Sequence, residues 1–161
     1  MRAQGNEVMS RAFVKDGEQE FEELPDRLIS EHPNLVTPEG LAQIEVEIAR
    51  LNAEHAKAQA AQDREALATV ARDLRYWKAR QLSAEVVTPP EDGEHVHFGS
   101  TVTIKREDGR RQTFRIVGED EADPLKGTIP YVAPLARALV GRGVGDVVQV
   151  GEGEIEILDV A

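Results

Sequence analysis

The chain has 161 residues, 40% hydrophobic and 4% aromatic, which suits one modest aliphatic core or one small domain carrying a helical appendage. Its 30 acidic residues against 19 basic ones give a formal charge of −11. That balance argues against an autonomous nucleic-acid binder with a basic surface and favours a protein partner. Cysteine is absent, so disulfides and thiolate metal centres are excluded.

No apolar run approaches membrane-spanning length, at the N-terminus or elsewhere, so a soluble, cytoplasmic protein is expected. Met9 offers an alternative translation start. Residues 1–36 carry 8 acids and 4 bases, with an acidic run at Glu18–Glu23 and prolines at 25 and 33. This composition predicts an extended or disordered arm. It is either a solubilising tail or a segment ordered by docking on the rest, anchored by Phe13, Val14, Phe21, Leu24, Leu28 and Ile29.

Residues 37–87 read as a helical hairpin. Thr37-Pro38-Glu39 is a helix start: a hydroxyl cap, proline at the first helical position, and an acid at the positive end of the dipole. Leu41, Ile44, Ile48, Leu51, His55 and Ala58 recur at spacings of 3, 4, 3, 4, 3, an a/d heptad seam. The seam restarts after Ala60-Ala61-Gln62-Asp63 as Leu67, Val70, Leu74, Trp77 and Gln81. Two runs of similar length around a small, polar middle predict an antiparallel coiled coil. One continuous dimerising helix is the alternative, since neither Gly nor Pro marks a turn near residue 62.

Residues 88–95 form a linker with turn chemistry at Thr88-Pro89-Pro90-Glu91-Asp92-Gly93. Strand material follows in Val96–Phe98 and Ser100–Lys105, with a hairpin turn at Glu107-Asp108-Gly109 and a return in Gln112–Val117. Thr128–Val132 predicts another strand, Pro134–Val140 a short helix, and Val147–Val150 with Glu154–Val160 a final hairpin. Several strands with one short helix make residues 96–161 a small α+β domain.

This order of elements, together with specific motifs, resembles the Gre-type family of bacterial transcription elongation factors. Phe98-Gly-Ser-Thr-Val-Thr-Ile104 resembles the family's Phe-Gly-Ala-Thr-Val start. Arg115-Ile-Val-Gly-Glu-Asp-Glu-Ala-Asp123 nearly repeats its Arg-Ile-Val-Gly-Asp-Asp-Glu-Ala-Asp signature. Pro134-Leu-Ala-Arg-Ala-Leu-Val-Gly141 is similar to its Pro-Ile-Ala-Arg-Gly-Leu-Ile-Gly helix, and Gly145-Asp-Val-Val148 to the segment after it. The resemblance implies an N-terminal antiparallel coiled coil and a C-terminal FKBP-like domain. It further implies docking of that domain at the rim of the RNA polymerase secondary channel, through Asp120, Glu121, Asp123, Ala133, Pro134 and Leu135. The coiled coil would then point down the channel, with Arg64, Arg72 and Arg75 facing its walls or making indirect contact with nascent RNA.

The sequence departs from the family at the tip. There the family carries two acids in a Gly-Asp-Leu context that help hold a second Mg²⁺, a task suited to hard carboxylate oxygens. Here the tip reads Ala60-Ala-Gln-Asp-Arg-Glu-Ala66, leaving Asp63 and Glu65 as weak candidates whose ordinary role is to open a second helix. Each helix also reads as shorter than the family's by on the order of ten residues, or ~15 Å. The small polar residue usual before the helix proline is replaced by Val132-Ala133.

These features predict an elongation regulator, not an enzyme, that modulates or blocks transcript cleavage and needs no cofactor. The alternatives are an FKBP-like prolyl isomerase, which needs an aromatic-lined pocket, and a short-hairpin polymerase binder that does not insert. Glu94, His95 and His97 alternate at strand spacing, but no further metal ligand accompanies them. Arg72, Arg75 and Lys78 form a stripe that reads equally as a solvated helix face, and Trp77 reads as a plug at the base of the coiled coil. No nucleophile–base arrangement occurs.

Overall fold

The computed structural model describes residues 23–161. Phe13, Val14 and Phe21 lie outside them, so their anchoring role is not addressed. From Glu23 the arm runs without regular structure to β1 (Leu35–Val36), which pairs in parallel with β2 (Glu85–Val86). Two of the expected apolar anchors do not anchor: Leu28 is 96% exposed and Ile29 48%. The grip lies further along, at buried Val36 and at Asn34. Asn34 is buried, and its amide donates to the Arg80 carbonyl (2.8 Å) and the Ser83 hydroxyl (3.2 Å).

Helix α1 (Pro38–Ala60) starts as its first residues dictate, with the Thr37 hydroxyl accepting from the Gly40 N–H at 3.0 Å. It ends at Ala61, and α2 (Arg64–Ser83) begins three residues later. The reversal is a Schellman motif. Asp63 N–H bonds back to the Ala58 carbonyl (2.9 Å) and Gln62 N–H to that of Gln59 (3.1 Å). Gln62 takes the left-handed conformation, φ 53°, usually left to glycine. The two helices therefore form a hairpin, and the single continuous helix is overturned.

The seam pairs buried Ile44, Leu51 and Ala58 of α1 with buried Leu74 of α2, while Leu67, Val70 and Trp77 are half-buried. Gln81 is exposed, contrary to its assignment to the seam. The neighbouring Arg80 turns inward in its place and is only 2% exposed. A guanidinium buried this far must find charge or hydrogen-bond partners.

Residues 101–160 form a mixed sheet, order β5-β4-β3-β7-β6, from β3 (Thr101–Arg106), β4 (Arg111–Val117), β5 (Thr128–Pro130), β6 (Val147–Val150) and β7 (Gly153–Val160). Gly109, φ 86°, allows the β3–β4 turn. A 3-10 turn at Pro124–Lys126 carries the chain across to β5, which runs parallel to β4. The core is aliphatic, with Val102, Ile104, Ile116, Ile155 and Ile157 on one sheet face, packed with Ala136 and Leu139 of helix α3 (Pro134–Leu139). Val96–Phe98 is not a strand. The backbone there makes an isolated bridge to residues 141–143, with Val96 N–H donating to the Arg142 carbonyl and Gly141 N–H to that of Val96, before turning at Gly99, φ 88°. The architecture is α+β: a helical hairpin joined to a sheet domain.

Candidate functional site

The hairpin meets the sheet domain at the loop after β4, Gly118–Asp123, the acidic stretch singled out in the sequence. Arg80 reaches it from the last turn of α2. Its Nε donates to Asp120 Oδ2 at 2.5 Å and its Nη2 to Asn34 Oδ1 at 2.7 Å, with Glu119 Oε2 3.9 Å away. One turn earlier on the same face, the Tyr76 hydroxyl donates to the other Asp120 oxygen. Glu119 accepts from the Ser30 hydroxyl of the arm at 3.0 Å. Arm, hairpin and sheet loop thus meet in one buried ionic cluster.

Glu121 makes the second joint. Its carboxylate accepts from the Thr37 N–H (2.9 Å), the Thr37 hydroxyl and the Gly118 N–H (3.1 Å). Thr37 is also the cap of α1, so the same residue starts the hairpin and ties it to the sheet. Gly40 lies directly over this carboxylate, where a Cβ would collide with the Glu121 side chain. On the adjoining surface, Glu39 Oε2 meets Arg115 of β4 at 3.3 Å. Trp77 borders the groove between α1 and this loop, with Gly40, Ile44, Asp120 and Glu121.

Burial, and next the hydrogen bond to and charge of Asp120, push the Tyr76 phenol from 10.0 up to about 12. A folded pKa above the unfolded one means that the fold favours the neutral phenol. Its contribution to stability is complete below pH 10.0 and is lost as pH rises through about 12. An alkaline titration of phenolate absorbance in wild type and Tyr76→Phe should assign a late step to Tyr76. An ordinary midpoint for that residue would contradict the buried hydrogen bond.

The remaining predicted residues lie in several places. Asp123 caps the 3-10 turn, accepting from Leu125 N–H at 3.1 Å. Ala133 precedes α3 without a side-chain cap, Pro134 is exposed at the first helical position, and Leu135 packs on the core. Val140, Val144 and Val147, just beyond α3, are 45%, 53% and 57% exposed. At the tip, the Asp63 carboxylate accepts from the Ala66 N–H at 3.1 Å, and Glu65 and Arg64 are exposed in the first turn of α2. Arg72 lies 3.4 Å from Asp73, and Arg75 bonds Asp26 of the arm at 2.5 Å. His97 is 3.4 Å from Asp92, while His95 bridges to Gly143. Among the described residues no three His, Asp or Glu side chains gather to hold a metal ion.

Sequence reasoning put Gln81 on the seam and gave no role there to Arg80, Tyr76 or Asn34. Phase alone did not reveal it: Gln81, seven residues after Leu74, holds the heptad position, whereas Arg80, six after, lies about 120° round the helix. The acidic loop supplied the complementary charge. The carboxylates of the cluster are engaged with hydroxyl, guanidinium and backbone N–H donors of the arm, the hairpin and the loop. What it does is mechanical, fixing the direction of the hairpin relative to the sheet domain.

A family model described as the C-terminal part of transcription elongation factor GreA/GreB matches residues 90–161. A transcription elongation factor GreB of Neisseria meningitidis serogroup B is 43% identical over 95 residues, 55% of this chain and 58% of its own length. A transcription elongation factor GreA of Desulfovibrio desulfuricans is 35% identical over 136 residues, covering 83% of this chain and 80% of its own. The first of these matches thus spans little more than half of its curated relative, whereas the second takes in most of both chains. Among solved structures, GreA factor homolog 1 (Gfh1) of Thermus thermophilus aligns over 81% of this chain and 99% of its own, with 18% identity and a TM-score of 0.40.

Proposed function

Since the chain belongs to the GreA/GreB family of transcription elongation factors, we propose that it binds RNA polymerase and modulates or blocks transcript cleavage without stimulating it. In this reading residues 96–161 dock at the rim of the secondary channel, with exposed Pro134 and the valines beyond α3 as apolar contacts. The hairpin of residues 37–87 then points inward. The 23 residues of α1 give it a reach of about 35 Å.

The observation that carries the inhibitory reading is the chemistry of the tip. Holding a catalytic dication beside another requires carboxylate oxygens that converge on it. Asp63 uses its carboxylate to cap α2, and Glu65 belongs to the first turn of that helix. These donors do not fit a metal-holding pair, so no cleavage step is assigned to them. A prolyl isomerase is not favoured either. The aromatic contacts among the described residues are two separate edge-to-face pairs, Tyr76 with Trp77 and Phe98 with Tyr131, and neither lines an apolar pocket of the kind such an enzyme needs.

The test is RNA cleavage in a backtracked elongation complex driven by a competent Gre factor, with this chain titrated in. Cleavage should slow with increasing concentration and recover when the competent factor is raised. Faster cleavage would reject the inhibitory reading and make Asp63→Ala and Glu65→Ala the next variants. No effect at saturating concentration would reject docking at this channel.

A further inference from the structure

The arm is held in two unequal ways. Residues 33–36 are fixed by buried contacts: Asn34 on Arg80 and Ser83, the parallel pairing of β1 with β2, and Val36 at 1% exposure. Residues 23–29 are fixed at the surface, whereas Ser30 reaches the buried cluster through Glu119 at 3.0 Å. Arg75 Nε meets Asp26 Oδ1 at 2.5 Å and its Nη2 donates to the Leu24 carbonyl at 3.0 Å, while Arg27 stacks 3.9 Å from the Tyr76 ring centre and lies 3.5 Å from Asp73. The Asp26 side chain is 73% exposed and those of Arg27 and Arg75 are 40% and 36% exposed. Exposed ion pairs of this kind are weak and screened by salt.

We propose that residues 23–29 are a displaceable strap that masks an interaction surface on α2, formed by Arg75 and the Tyr76 ring, from an acidic segment of a protein partner. The strap indicates what the surface takes: an extended chain presenting one carboxylate to Arg75 and a cation to the ring beside it. The Ser30–Glu119 bond and the buried contacts at residues 33–36 hold its root, so the strap can leave without opening the base of the hairpin. A protein ligand, not nucleic acid, is the occupant that can supply both the carboxylate and the cation which Asp26 and Arg27 place there. The identity of that partner as RNA polymerase rests on the reading above.

The experiment uses the full chain with Asp26→Asn, and Glu31→Gln as a control of equal charge change. Tryptic cleavage after Arg27, followed by mass, reports strap release. It should be faster in Asp26→Asn by about two- to fivefold, the range expected for an exposed ion pair, and added salt should accelerate the wild type toward the variant. Equal cleavage of wild type and Asp26→Asn overturns the strap. Affinity for core RNA polymerase should rise by a similar factor in Asp26→Asn, stay unchanged in Glu31→Gln, and lose the gain when Arg75→Gln is added. Equal or weaker polymerase binding by Asp26→Asn overturns masking while leaving the polymerase reading intact. Absence of binding by every variant overturns the polymerase reading instead, and the proteolysis result then decides the strap alone.

Discussion

Replacing Arg80 with alanine should destabilise the protein by about 3–5 kcal/mol, the cost of removing one partner from a buried ion pair. The magnitude follows from what is left behind. Asp120 is 10% exposed at its side chain and Glu119 is 23% exposed. One oxygen of Glu119 is already buried without a hydrogen bond. Without the guanidinium, Asp120 is left with the Tyr76 hydroxyl and Glu119 with the Ser30 hydroxyl, two negative charges with no cation between them, and Asn34 loses its 2.7 Å bond. Arg80→Met tests whether stem packing alone suffices, since long cationic side chains also contribute through their aliphatic part. Urea denaturation at neutral pH measures both variants, and a loss below about 1 kcal/mol, the value of a surface pair, would sink the claim that this pair is a structural joint.

Gly40→Ala should also destabilise, by about 2–4 kcal/mol, against the sign that helix propensity predicts. In an exposed helix the change would favour folding by up to about 1 kcal/mol. Here the new Cβ would occupy space held by the Glu121 carboxyl. Expelling that carboxyl breaks its bonds to Thr37 N–H, the Thr37 hydroxyl and Gly118 N–H, each charge-assisted and worth about 1.5–3 kcal/mol when lost. Steric loss therefore outweighs propensity. Glu121→Ala removes both the obstacle and the bonds, so the Gly40→Ala and Glu121→Ala pair should cost less than the sum of its members. A stabilised Gly40→Ala protein, read by thermal unfolding, would show that the carboxyl can move aside at little cost.

Much of this architecture was legible because local chemistry and packing agreed. Thr37-Pro38-Glu39 opens α1, Gly109 turns β3 into β4, and the apolar alternation of Val102 and Ile104 points one sheet face at the core. The hairpin turn was legible only through the break in seam phase, because Gln62 holds the left-handed position without being glycine. The seam was extended to Gln81 because that residue follows Trp77 by four and Leu74 by seven, the heptad spacing, while Arg80 beside it is the one that turns inward. Nothing local in the sequence says that the charge answering it lies in the loop after β4. The acidic loop stood out by its resemblance to family members, yet its internal work at Asp120 and Glu121 required the fold to bring residues 37, 76, 80 and 118 together.

The parallel pairing of Leu35–Val36 with Glu85–Val86 holds the chain where it goes into the hairpin beside the place where it comes out. All that lies between is a self-contained arm whose base contacts are indifferent to its length. Adding or removing seven residues in each helix preserves the heptad phase and the base, while changing the projection by about 10 Å. The distance probed beyond the sheet domain is thus an adjustable gauge, open to lengthening or trimming in steps that keep the base contacts and the direction they set. One scaffold can in this way yield a graded series of rods, each stopping at its own depth.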